Sequence, residues 1–261
     1  MKRVLSLAYG LIAYGIFLPT LVYAIFFSGN MLVPKTIDSG GAESPLLLAV
    51  AINAVLLTVF ACQHSIMARR GFKRVWTKII PKHLERPTYV LAATLLLILL
   101  LWQWRPIPQV VWDLHGPAAM VLTVTFWLGW ILVPASTFLI NHFELFGVQQ
   151  VWGYFRGKQY GSATFRIPLF YRIVRHPLYL GFIVAFWSAP RMTVGHLLFT
   201  VATTGYILLG IYLEERDLVA EHGDAYRNYR KQVPMLVPFS KTSKENVAGA
   251  AGNLGASVET R

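Results

Sequence analysis

Two short polar clusters interrupt an otherwise apolar chain, and their residue types could do chemistry. Arg175-His176-Pro177 is followed by Leu178, Tyr179, Leu180 and Gly181. Glu214-Glu215-Arg216-Asp217 ends the last long apolar run and leads into a segment holding Tyr226, Arg227, Tyr229 and Arg230. Proline is favoured in the first turn of a helix, where its missing N–H costs nothing. Pro177 therefore starts a helix whose free N–H groups and positive dipole end attract a carboxylate. Arg175 adds charge there, His176 a ring that donates or accepts, and Gly181 a place for close approach. Acids that bind hydroxyls or an ammonium group, with aromatic faces and an arginine beside them, suit a zwitterionic, nucleoside-like molecule. Each residue alone also fits a plainer role. Arg175 can snorkel to headgroups, His176 cap a helix, and Tyr179 join an interfacial aromatic belt. Asp217, Glu221 and Arg227 read as internal pairs on a solvated helix.

A third polar segment, Asn141-His142-Phe143-Glu144-Leu145-Phe146-Gly147, lies where an apolar run ends. Asn141, Glu144 and Val148 align on a continued helix, while His142 and Glu144 converge only if that helix loosens. His142 is either a proton acceptor near neutral pH or an interfacial cap.

The elements that must position these residues are membrane spans. The chain is 55% hydrophobic and 14% charged, too apolar for an ordinary soluble domain. Val4–Phe27, Leu46–Cys62, Tyr89–Trp104 and Ala118–Ile140 are each about long enough to cross the hydrocarbon core as helices. Leu178–Ala189 is about half a span, Pro190-Arg191 interrupt, and Met192–Leu213 is a full one. The expectation is an all-α integral membrane protein of four transmembrane helices followed by a membrane helical hairpin. That long helix should continue to His222, with Gly223 as its stop and Asp224 capping a second short helix. Residues 1–239 form one domain, and the small, polar segment 240–261 reads as a disordered tail.

Most of the net charge of +12 falls in two loops. One holds Arg69, Arg70, Lys73, Arg74, Lys78, Lys82 and Arg86; the other holds Arg156, Lys158, Arg166, Arg172 and Arg175. Basic loops stay cytoplasmic, which puts both termini on that side of a bacterial inner membrane. Attraction to anionic headgroups accounts for the charge, so the bilayer is the expected partner and nucleic acid is not. Cys62, the single cysteine, excludes an internal disulfide and any cysteine metal cluster. Asn53, Gln63 and His64 are polar residues within or near the second span. They line a site or bond across helices, the latter being favoured.

RHPLYLGF, followed by EERDL and HGDAYRNYRKQVP, resembles the carboxy-terminal signature of the isoprenylcysteine carboxyl methyltransferase-like superfamily, to which the NnrU-related proteins belong. The resemblance implies S-adenosylmethionine as methyl donor, no metal, and a site at the cytoplasmic side. It implies donor contacts from Arg175, His176, Tyr179, Leu180, Gly181, Glu214, Glu215, Tyr226 and Arg230. NHFELFGVQQVW, ahead of a basic loop, is similar to the bacterial methanethiol S-methyltransferases and implies methanethiol as acceptor and dimethyl sulfide as product. A thiol is mostly protonated at neutral pH while the thiolate is the nucleophile, so a base is needed. His142 is the candidate, with Asn141 beside it and Glu144 orienting it or acting through water; Arg172 is an alternative stabiliser of the thiolate. The competing readings are methylation of a prenylcysteine carboxylate or a phospholipid amine, and a non-catalytic membrane component tied to nitric-oxide metabolism.

Overall fold

The computed structural model describes residues 1–158 and 167–238. Arg166 and the expected tail at 240–261 lie outside them. Among the described residues five helices are long and apolar enough to cross a membrane: α1 (Lys2–Ser28), α2 (Leu46–Ala68), α4 (Lys82–Gln103), α5 (Gly116–Ile140) and α9 (Val194–His222). The chain is a multi-pass integral membrane protein. Shorter helices join them: α3 (Arg70–Trp76), α6 (His142–Leu145), α7 (Val148–Phe155), α8 (Pro177–Trp187) and α10 (Asp224–Gln232). At 1.5 Å per residue the 11 residues of α8 reach about 16 Å, half of the roughly 30 Å hydrocarbon core. That arm does not cross.

The chain is not all-α. Val110–Asp113 (β1) and Arg191–Thr193 (β2) pair antiparallel, with Trp112 opposite Met192 and Asp113 opposite Arg191. Met192 and Thr193 thus belong to the ribbon, and α9 starts at Val194. The reason lies in the backbone. Where α8 stops short, its exit needs partners that a membrane interior does not supply. Leu114 N–H donates to the Pro190 carbonyl at 2.9 Å, Val194 N–H to that of Gln109 at 2.8 Å, and Gly195 N–H to that of Ile107 at 3.0 Å. The α8–α9 corner is pinned in this way to the α4–α5 connection.

Phe27, Leu100, Trp104, Phe126, Trp130, Phe186 and Phe199 fill the core between α1, α4, α5, α8 and α9. Asn53 is fully buried and bonds across helices as expected. Its amide donates to the Arg105 carbonyl at 2.7 Å, and its oxygen accepts from Arg105 N–H at 2.8 Å. At the basic end Arg69 pairs with Asp217 at 2.9 Å and Arg70 with Glu221 at 2.5 Å. Asp217 and Glu221 of α9 therefore reach the α2–α3 junction rather than pairing along their own helix; Arg227 pairs with Asp224 at 2.8 Å. Asp224 is the first residue of α10, and Gly223, at φ 56°, is the residue that ends α9. A left-handed φ suits glycine there.

The tightest helix contact is α5 on α8. A Cβ on Gly129 would lie 2.6 Å from Ala185 N, and one on Gly181 would lie 2.8 Å from the Gly129 carbonyl oxygen. Small residues four apart let two backbones touch where water cannot drive association. Gly129→Val should prevent the bundle from forming, because the added atoms meet backbone rather than a movable side chain. Gly15, with open space around its Cβ position, should accept alanine with a gain of up to about 1 kcal/mol. Thermal unfolding in detergent measures both.

Candidate active site

The start of α8 and the end of α9 meet around one carboxylate. Glu215 is 6% exposed. Its Oε1 accepts from Arg175 Nε at 2.7 Å and lies 3.2 Å from His176 Nε2, while Oε2 lies 3.2 Å from Arg230 Nε. The carboxylate beside Arg175-His176 is thus the chain's own. Arg175 also donates through Nη1 to the carbonyls of Arg230 and Val233, at 3.0 and 2.6 Å. Backbone bonds Arg175 N–H to Pro234 and His176 N–H to Met235 lay the segment after α10 along the α8 entry. Arg175, Glu215 and Arg230 together hold three elements in place.

Glu214 follows a different direction, about 100° round the helix from its neighbour. It is half-buried, and its Oε2 accepts from Tyr179 Oη at 2.9 Å. His176 packs its ring 5.7 Å from that of Tyr179. Tyr226 and Tyr229 are buried on α10, share a cluster with Val233, Leu218 and Val219, and sit 5.7 Å apart. Burial pushes both phenols well above their ordinary value, so they stay protonated at physiological pH. Tyr229 Oη donates to the Tyr171 carbonyl. Leu180 packs with Ile207, Ile211 and Leu236. Gly181 has its close approach, but the partner is Gly129 of α5.

The segment from Asn141 to Glu144 behaves differently from either sequence alternative. Asn141, with an extended backbone, breaks the helix. Its amide donates to Glu144 Oε2 at 2.8 Å and to Gln149 Oε1 at 2.7 Å, and its Oδ1 accepts from Glu144 N–H at 3.3 Å. Glu144 therefore does not orient His142. That ring bonds through Nδ1 to Thr137 Oγ1 at 2.8 Å and through Nε2 to Tyr14 Oη at 2.7 Å, and it stacks on Phe138 at 4.2 Å. Both nitrogens are taken by residues of the bundle wall. Arg172 is exposed on a 3-10 turn, Leu169–Arg172.

One set of polar residues escaped the motif reading. His64 shares a 2.8 Å hydrogen bond through Nε2 with Tyr89 Oη, and Ser65 Oγ donates to Tyr206 Oη at 3.3 Å. An ionisable residue in an apolar span was the available signal; its partners on α4 and α9 were not deducible from spacing.

The Glu215 cluster carries a sharp prediction. Removing one member of a buried ion pair strands the other charge, at a cost of about 3–5 kcal/mol. Glu215→Ala should lower the unfolding temperature in detergent strongly. Glu214→Ala, which leaves the cluster intact, should not.

Residues 52–214 match the model of a family described as NnrU protein. The chain is 55% identical over 240 residues to "Methanethiol S-methyltransferase" of Mycobacterium tuberculosis, covering 92% of this chain and 98% of that one. It is 51% identical over 236 residues to "Methanethiol S-methyltransferase 2" of Bradyrhizobium diazoefficiens, covering 90% and 91%. A third relative, "Methanethiol S-methyltransferase" of Crocosphaera subtropica, is 51% identical over 240 residues, covering 92% and 94%. No solved structure matches. Matched over more than half its length by the family model and almost end to end by these relatives, the chain belongs to the NnrU family and, within it, to the methanethiol S-methyltransferases.

Proposed function

We propose that this protein is an S-adenosylmethionine-dependent methyltransferase that converts methanethiol to dimethyl sulfide. The observation that carries the reading is end-to-end similarity to relatives bearing that name, in a chain whose polar groups gather at the mouth of α8. The residues fit the donor. Glu214 offers a carboxylate for hydroxyls or an ammonium group, Tyr179 an aromatic face, and His176 an imidazole, at the edge of an apolar wall. Arg175, Glu215, Tyr226 and Arg230 hold those three in position, and Leu180 and Gly181 seat α8 against its neighbours. The donor supplies an electrophilic methyl group on a sulfonium. In-line transfer asks of the protein only alignment and a reactive thiolate.

In the same reading four spans precede the α8–α9 hairpin, both termini lie in the cytoplasm of a bacterial inner membrane, and the site opens to the cytoplasmic side. The loop charges support this. Single cysteines at positions 78 and 158 should be protected from an impermeant reagent in spheroplasts; labelling of either overturns the orientation.

The activity test uses purified protein in detergent with labelled S-adenosylmethionine. Dimethyl sulfide and S-adenosylhomocysteine should form with methanethiol, and little product with a longer thiol or a prenylcysteine analogue. Faster methylation of the prenylcysteine would give the carboxylate reading the assignment instead. Binding per non-hydrogen atom is bounded at about −1.5 kcal/mol. With its two such atoms, methanethiol should bind at roughly millimolar or weaker. Glu214→Ala should weaken donor binding about 10- to 150-fold, the worth of a hydrogen bond to a charged group. Calorimetry reads it directly, and unchanged affinity removes Glu214 from the donor site.

A further inference from the structure

The thiol must lose a proton, and two histidines of the described residues, His142 and His64, stand among aromatic rings in opposite states. His142 has both ring nitrogens bonded and lies among the rings of Tyr14, Phe138, Phe143 and Phe146. His64 has one nitrogen bonded, to Tyr89. Its Nδ1 is buried and has no hydrogen-bond partner among the described residues. An unpaired polar atom in a native interior calls for an explanation, and a substrate is one.

The surroundings favour that explanation. His64 stacks on Phe60 at 5.5 Å and meets the ring of Tyr206 edge-on at 6.3 Å. It therefore lies in an aromatic cluster formed by α2, α4 and α9. The charged and titratable groups acting on this cluster come from each element packed against it, among them Cys62 of α2 and Glu85 of α4. Tyr89 and Arg86 lie on α4, with the Arg86 guanidinium 5.0 Å above the Tyr89 ring; Arg86 also acts electrostatically on His64. Tyr206 lies on α9, and Arg69 at the end of α2 acts on both phenols. Tyr179 of α8 carries the hydrogen bond to Glu214 and interacts electrostatically with Tyr206 and Tyr89.

We propose that His64 Nδ1 is the base that takes the methanethiol proton, with Tyr89 holding the ring in the tautomer this needs; the proposal rests on the thiol methyltransferase reading above. Nε2–H donates to Tyr89 Oη, which leaves the Nδ1 lone pair directed at the thiol. The S–H proton passes to Nδ1 and gives an imidazolium. The thiolate sulfur then bonds the methyl carbon as the carbon–sulfonium bond breaks, its electrons staying with the departing S-adenosylhomocysteine. The imidazolium returns its proton to water before the next turnover.

His64→Ala and His64→Gln decide the matter, the second because it keeps a hydrogen-bonding side chain of similar reach if alanine fails to fold. Donor affinity is measured first, by calorimetry without thiol, and should stay within a factor of about three of wild type. Turnover with methanethiol at neutral pH should fall by about 10²–10⁴-fold, the usual contribution of a general base. The loss should shrink as pH rises, because thiolate then arrives already formed. Tyr89→Phe should give a smaller loss in kcat with the same recovery at high pH. A His64 variant that binds donor and turns over like wild type, or whose deficit is the same at every pH, overturns the proposal. A wild-type protein that methylates other acceptors but not methanethiol overturns the functional reading itself, and this proposal with it.

Discussion

A single buried carboxylate organises the polar end of this molecule. Glu215, held by two guanidinium groups and an imidazole, joins the entry of α8, the exit of α9 and the last turn of α10. Taking a carboxylate out of water costs several kcal/mol, and only close partners offset that. Here the partners come from segments far apart in sequence, so the cluster cannot form until all three elements are in place. That makes it a specifying contact as much as a stabilising one. Arg175, Glu215 and Arg230 thereby frame the Tyr179–Glu214 hydrogen bond that lies beside them.

The opposite end solves a different problem. An apolar helix of 11 residues cannot reach across a bilayer, yet its last carbonyls need partners. Thr200 Oγ1 of α9 donates to the Phe186 carbonyl at 3.1 Å, and the connection that follows is held from the α4–α5 side, where Leu114 N–H donates to the Pro190 carbonyl and Trp112 Nε1 to the Ala189 carbonyl at 3.0 Å. With its far end fixed there and its side seated on Gly129, α8 presents a buried N-terminus, His176-Pro177, to the acids of α9. A polar site beside apolar walls follows from that shortness.

The long helices were legible because hydrocarbon leaves the backbone no alternative, and a run of apolar residues states that constraint directly. Pro177 as a helix start and Gly223 as a helix stop were legible for equally local reasons. The ribbon was not, because Val110-Val111-Trp112 gains strand character only by pairing with Met192 and its neighbours. Nor was the role of Asn141: its side chain closes onto Glu144 and Gln149, contacts that exist only once the helix has broken. Motif reading drew attention to His142 because it stood in a recognisable segment. His64 stood in a plain apolar span, and only the placement of Tyr89 and Tyr206 showed that one of its nitrogens had been left unpaired.

A water-poor site acts in opposite senses on the two halves of thiol methylation. Union of a thiolate with a sulfonium methyl removes a pair of opposite charges, so a low dielectric favours it relative to water, which stabilises both reactants. Creating the thiolate separates charge, and the same low dielectric opposes that step. The base must therefore touch the thiol, since attraction between the new thiolate and imidazolium falls away with distance and lost contact would leave two bare charges. On the His64 proposal, an aromatic cluster with one unpaired imidazole nitrogen meets the second demand, and the Arg86 guanidinium over Tyr89 favours the thiolate while it opposes the imidazolium. A bulkier thiol would separate sulfur from nitrogen or admit water, and either change slows the reaction. On this argument selectivity for the smallest thiol arises from the distance between Nδ1 and the sulfur rather than from binding strength, which so small a ligand cannot supply.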